Sequence, residues 1–221
     1  MGAPKNKIYS IGDNLKSNSE RNNMLPQQDD YLVWERFIKG DNNSLIYIYN
    51  RYADVLFGYG KQFTKDLDLI KDCIQILFCD LIRQRSNLSK VKSIKAYLFV
   101  SFKRRILKEL KKAKKYQLEE EGFTFDFEDQ SISISRELQE EDILIIRDKL
   151  NSLPINQREA IYLYFYEGLG YKEIASILDI KVHSARILTY RALGNLESEL
   201  KSLLSSFYSI LLYLSFYSTL K

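Results

Sequence analysis

One histidine and two cysteines among 221 residues leave no material for a His/Cys metal cluster. There is likewise no Gly-rich phosphate loop and no nucleophile elbow among the nine glycines. The single histidine, His183, has no companion base or nucleophile nearby in sequence, so no catalytic residue, metal, cofactor or small-molecule substrate is expected. The first residues carry Lys5, Lys7, Asp13, Lys16 and Glu20 without an apolar core, which argues against a secretory signal and for a cytoplasmic protein. Cys73 and Cys79 lie on one predicted helix and point to different faces, so the two do not readily bridge and a reduced setting is expected. A net charge of only +4 means that any affinity for nucleic acid must come from local clusters of cations.

What remains is helix. With 45% hydrophobic residues and only three prolines, the chain has enough apolar side chain for one or two helical cores. The stretch that organises it is Leu153 to Leu196. Apolar residues recur there at helical spacing through Ile161, Leu163 and Phe165, then Ile174, Ile177 and Leu178, then Ala185, Leu188, Ala192 and Leu196. Pro154 suits a helix start and Gly168 and Gly170 suit a break. Asp179-Ile180-Lys181 is a tight link between the second and third helices, the signature of a helix-turn-helix. At about 100° per residue, His183, Arg186, Ile187 and Tyr190 share the outer face of the third helix, flanked by Ser184 and Arg191. Such a run suits insertion into a major groove, with Arg191 and Lys172 placed for phosphates.

Upstream, residues 1–28 read as a flexible tail rich in Asn, Ser and Lys. A helical stripe then runs through Leu32, Val33, Phe37 and Ile38, and after a break at Gly40-Asp41 through Leu45, Ile48, Tyr49, Tyr52, Val55, Leu56 and Tyr59, with Trp34 assigned to the core. From Leu67 to Arg83, Ile70, Ile74, Leu77 and Leu81 face inward. Asp72, Gln75, Ile76, Cys79 and Arg83 cluster opposite, and apolar side chains amid that polar face point to a docking surface. A basic helix follows from about Ile94 to Lys115. Its apolar side is Phe99, Phe102, Ile106, Leu110 and Ala113, while Tyr97, Arg104, Lys108, Lys111, Lys112 and Lys115 gather opposite. Only Glu109 interrupts the cations from Lys103 onward, so salt bridges within the helix do not account for them and a phosphate backbone is the expected partner. Tyr97 offers a stacking surface for an unpaired base.

Two stretches carry a resemblance. Leu153 to Leu196 resembles region 4 of the sigma-70 family of RNA polymerase sigma factors, of the small extracytoplasmic-function (ECF) type, with Asp179 where the family usually has Gly and Lys181 where it often has a Ser or Thr cap. KDCIQILFCDLI is similar to the family's region 2.2 pattern, carried here by Asp72, Gln75 and Phe78, with Ile82 in place of the usual Trp. The resemblance implies an all-α fold of two small helical domains, residues 29–115 and 138–200, joined by an acidic linker at 116–137. It implies core RNA polymerase as partner, through the clamp helices of the largest subunit and the flap of the second subunit. It also implies promoter DNA, with the basic helix at the minus-10 element, where Arg104 and Lys108 replace the usual Asn and Asp, and the helix-turn-helix at minus-35. An anti-sigma or recruiting protein is a further partner compatible with it. A stand-alone helix-turn-helix regulator of duplex DNA is the alternative. Residues 201–221 include nineteen without charge, projecting as an amphipathic helix; packing within the chain, docking on a partner and membrane insertion all remain open.

Overall fold

Three aspartates set the starts of the first helices. Asp29 accepts from the Tyr31 amide, Asp41 from the Asn43 and Ser44 amides, and Asp66 from the Leu69 amide, each satisfying amides that have no partner inside their own helix. The computed structural model describes residues 29–114, 122–125 and 140–200. Among these, eight α-helices run α1 Asp30–Ile38, α2 Asn42–Lys61, α3 Leu67–Gln84, α4 Ile94–Lys114, α5 Glu140–Ser152, α6 Ile155–Ile161, α7 Tyr171–Leu178 and α8 Val182–Leu200. The fold is all-α. The expected tail at 1–28, most of the acidic linker, Lys115 and the apolar segment 201–221 lie outside the described residues. No helix among the described residues is long and apolar enough to cross a membrane.

Helices α1 to α4 form the N-terminal bundle around Trp34, Phe37, Ile48, Leu56, Tyr59, Ile70, Leu77, Phe99, Phe102 and Ile106, all buried. Each such side chain contributes about 1.5–3 kcal/mol on leaving water. Trp34 is in the core as expected, its indole N–H donating to the Ser89 carbonyl at 2.9 Å. Leu32 is not; it stands 53% exposed, because α1 packs through Val33, Trp34 and Phe37 and Leu32 falls outside that arc. Asp30 ties three helices together, accepting from the Tyr52 hydroxyl of α2 and from the Ile94 amide that opens α4. Gly60 marks the tightest approach: a Cβ there would meet Ile70 of α3 at 2.6 Å and Phe102 of α4 at 3.0 Å.

Helices α5 to α8 form the C-terminal unit, with α6 and α7 both laid against α8 over Ala160, Ile174, Ile177, Ala185, Ala192 and Leu196. The single helix expected from Pro154 to the glycines is α only as far as Ile161. It continues over Tyr162–Tyr166 as a π-helical segment, with the Glu167 amide bonded to the Tyr162 carbonyl.

The two groups of helices share one continuous core. Tyr59 of α2 stacks on Tyr162 at 5.8 Å between ring centres, and its hydroxyl donates to the Glu159 carboxylate at 2.5 Å. Residues 122–125, expected as part of the acidic linker, lie between the groups with Phe123 and Phe125 buried. The Thr124 amide donates to the Gln62 carbonyl at 2.7 Å, and Phe125 exchanges two hydrogen bonds with the Asn151 side chain of α5. The reason is the apolar Phe-Thr-Phe sequence, which has more to gain from a core than an acidic spacer does.

Candidate nucleic-acid and protein-docking faces

The recognition helix α8 is split by its own periodicity. Ala185, Thr189, Ala192 and Leu196 are buried against α6 and α7, and the Thr189 hydroxyl is satisfied by the Ala185 carbonyl at 3.0 Å. His183, Ser184, Arg186, Tyr190 and Arg191 are exposed, Ile187 half so, and Lys172 is exposed on α7 beside them. The structure therefore brings the expected groove-facing residues onto one surface. Arg186 is not free to wander: its guanidinium lies over the Tyr171 ring at 5.5 Å, and Tyr171 stacks on Tyr164 at 5.0 Å. That aromatic support was not read from the sequence, although Tyr164 and Tyr171 flank the expected turn.

The link preceding α8 shows how the two unusual residues are accommodated. Asp179 adopts the left-handed conformation, φ 55° and ψ 49°, and the Ile180 amide donates to the Ala175 carbonyl at 2.9 Å. The turn thus keeps the geometry that glycine would give it, with Asp among the side chains that tolerate it. Lys181 supplies its backbone carbonyl to the Ala185 amide. At the other end of α7, the Glu173 carboxylate reaches back to the Gly170 amide at 2.9 Å.

On α3, Asp72, Gln75 and Ile76 are exposed and Cys79 is half-buried, forming a stripe that Ile82 and Arg83 extend. Phe78, grouped with them in the region 2.2 pattern, is in the core instead. It is 5% exposed and meets Tyr49 edge-on at 4.9 Å, so its contribution is to fix the helix that presents the others. Cys73 is also inside, and burial pushes its thiol up to about 11, which leaves it protonated and inert.

On α4, Arg104, Lys108, Lys111 and Lys112 are exposed together. Tyr97 is not on that open face; it is half-buried with its ring 5.1 Å from Trp34. Its place is explained by the gain from covering an indole that a solvated phenol would forgo. Beyond the helix itself, acids elsewhere in the fold pair with some of its basic residues. Arg105 pairs with Asp80 of α3, Lys103 with Glu159 of α6 at 2.8 Å, and Lys95 with Glu167 at 2.7 Å. Within α4, Lys112 pairs with Glu109 at 2.9 Å. Arg104, Lys108, Lys111 and Lys112 remain as the solvent-facing cluster.

Comparisons with known proteins agree with this geometry. The family model described as sigma-70 region 2 matches residues 48–116, and that described as sigma-70 region 4 matches residues 143–196. The chain is 22% identical over 193 residues to the RNA polymerase sigma-H factor of Pseudomonas aeruginosa, covering 82% of this chain and 98% of that one. It is 26% identical over 154 residues to the ECF RNA polymerase sigma factor SigM of Bacillus subtilis, covering 68% and 91%. Among solved structures, its fold resembles CnrH in complex with the cytosolic domain of CnrY, with TM-score 0.53 and 15% identity over 79% of this chain and 99% of that one. It also resembles the sigma factor RpoE in complex with the anti-sigma factor NepR from Bartonella quintana, with TM-score 0.53 and 20% identity over 72% and 96%. Matches to both regions, in the order and on the helices just described, establish that the chain belongs to the sigma-70 family of RNA polymerase sigma factors, in its extracytoplasmic-function type.

Proposed function

We propose that the three exposed faces divide the work of promoter-directed initiation among them. The stripe of Asp72, Gln75, Ile76 and Cys79 on α3 grips the clamp helices of the polymerase largest subunit, while the C-terminal unit docks on the flap of the second subunit. The cations Arg104, Lys108, Lys111 and Lys112 of α4 hold the phosphates of the minus-10 region. Helix α8 enters the major groove at minus-35, with His183, Ser184, Arg186, Ile187 and Tyr190 toward base edges and Arg191 and Lys172 toward phosphates. The chain contributes binding energy and the polymerase contributes bond chemistry, in the cytoplasm where that enzyme works.

The observation that carries this reading is the clean division of α8 into a buried apolar face and a continuous outer face of hydrogen-bonding side chains. The family match at residues 48–116 argues against a stand-alone helix-turn-helix regulator, which has no use for a polymerase-binding domain. Solved relatives held by CnrY and NepR support an anti-sigma or recruiting partner for this chain as well.

The test is promoter selection by reconstituted holoenzyme from a randomised upstream library. Wild type is expected to enrich a defined upstream element, and Arg186→Ala to lose preference at one or two of its positions by about 1–3 kcal/mol. An identical enriched element with Arg186→Ala would remove Arg186 from base reading.

A further inference from the structure

Arg186 stands on α8, but the ring it lies over belongs to the start of α7. Its guanidinium is 5.5 Å from the centre of the Tyr171 ring. Tyr171 is in turn stacked on Tyr164, with 5.0 Å between centres and 16° between planes. The column therefore draws one member from each of three segments: Tyr164 from the π-helical stretch, Tyr171 from α7 and Arg186 from α8. Local backbone geometry fixes the first two. Tyr164 lies within Tyr162–Tyr166, where i→i+5 bonding takes more residues per turn than an α-helix and so re-aims the side chains it carries. Tyr171 is the first residue of α7, reached through a turn in which Gly168 has φ 64° and the Leu169 amide donates to the Leu163 carbonyl at 2.9 Å. That bond closes the turn back onto the π-helical stretch, and the Glu173 carboxylate, accepting from the Gly170 amide, sets where α7 begins. Among the described residues no carboxylate forms an ion pair with Arg186. A guanidinium lying on an aromatic face keeps the N–H donors of its plane for other partners, such as a base edge.

We propose that Tyr171, backed by Tyr164, is a positioning residue for promoter reading: it holds the Arg186 guanidinium ready for a base edge, so that part of the base preference of α8 is set from α7 and the π-helical segment. The proposal rests on the assignment of α8 to the major groove. Arginine is long and rich in rotamers, and a side chain already held before binding loses less freedom when it docks. Such holding strengthens the one contact that Arg186 makes. It does nothing for the phosphate contacts assigned to Arg191 and Lys172, so its signature is confined to particular positions of the DNA.

The experiment reads base preference at each position of the randomised upstream library, using holoenzyme that carries the full-length wild type, Arg186→Ala, Tyr171→Leu, Tyr171→Phe, or Arg186→Ala combined with Tyr171→Leu. A cation–π contact at an exposed site corresponds to about a two- to fivefold change in an equilibrium. Tyr171→Leu is expected to lower base preference by about that factor at the positions that Arg186→Ala relaxes, and to leave the others as in wild type. Tyr171→Phe, which keeps the ring, is expected to keep the preference, and the double variant to be no weaker at those positions than Arg186→Ala alone. Wild-type preference in Tyr171→Leu overturns the proposal. So does a loss spread evenly over all positions, the mark of a distorted fold, and so does a double variant weakened further than Arg186→Ala, the mark of an independent contact. Should Tyr171→Leu lose its helical circular dichroism, Tyr171→Gln, suited to this half-buried position, decides by the same readout. Arg186→Ala with the wild-type pattern removes Arg186 from base reading and overturns the positioning role with it, whereas relaxation by Arg186→Ala and none by Tyr171→Leu overturns the positioning role alone.

Discussion

Asp179 holds a left-handed backbone that its Cβ disfavours, at the one turn on which the helix-turn-helix depends. Asp179→Gly is expected to stabilise the protein by about 1 kcal/mol, raising the melting temperature by roughly 2–4 °C. A thermal scan that shows a loss instead would mean that the Asp179 side chain makes a contribution the backbone account omits. Gly60 is the opposite case, since it has an ordinary helical backbone and no space. Any side chain there must push Ile70 or Phe102, so the residue is fixed by helix approach and not by turn geometry.

At the scale of the helix, α4 does two jobs on two faces, and the separation is measurable. Lys108 and Lys111 are exposed, and replacing both by Ala is expected to lower the slope of log affinity against log salt by about 1.4 to 1.8 for promoter-bound holoenzyme, leaving the fold intact. An unchanged slope, read by fluorescence titration at several salt concentrations, would take these two lysines off the phosphate path. How far the elements were legible in advance follows from the same helix. Phe99, Phe102 and Ile106 announced its buried side, because a 3.6-residue period is a local property of sequence. The faces of α3 and α8 were readable for the same reason. The pairing of Lys103 and the packing of Tyr97 were not legible because their partners, Glu159 and Trp34, are 56 and 63 residues away, and periodicity carries no information about what packs opposite. The burial of Phe123 and Phe125 escaped notice because the acidic residues around them dominate the composition of that stretch.

At the scale of the molecule, phenols are built into the interior and the seam. Burial first, then the neighbouring carboxylate of Glu159, pushes the Tyr59 phenol well above its ordinary range; burial raises Tyr52 and Tyr171 as well. A group whose pKa is raised on folding contributes stability that is complete below its unfolded value, about 10 for tyrosine, and declines as pH rises past it. Unfolding free energy is therefore expected to fall between about pH 10 and 12, with a smaller decline in Tyr59→Phe. Equal declines in both proteins would place the effect elsewhere. The shared core also means that the two groups of helices are expected to unfold together.

Core RNA polymerase is expected to carry this chain and to hold it through the outer face of α3. The direct measurement is co-purification of the tagged full-length chain with core enzyme, set beside Asp72→Arg combined with Gln75→Ala. Both positions are exposed, so the pair alters the docking face and leaves the core of the bundle in place. Wild type is expected to retain polymerase and the double variant, with unchanged helical circular dichroism, to lose it. A double variant that retains polymerase as well as wild type does would contradict the assignment of that face, and a wild-type chain that binds duplex DNA but never polymerase would contradict the account as a whole.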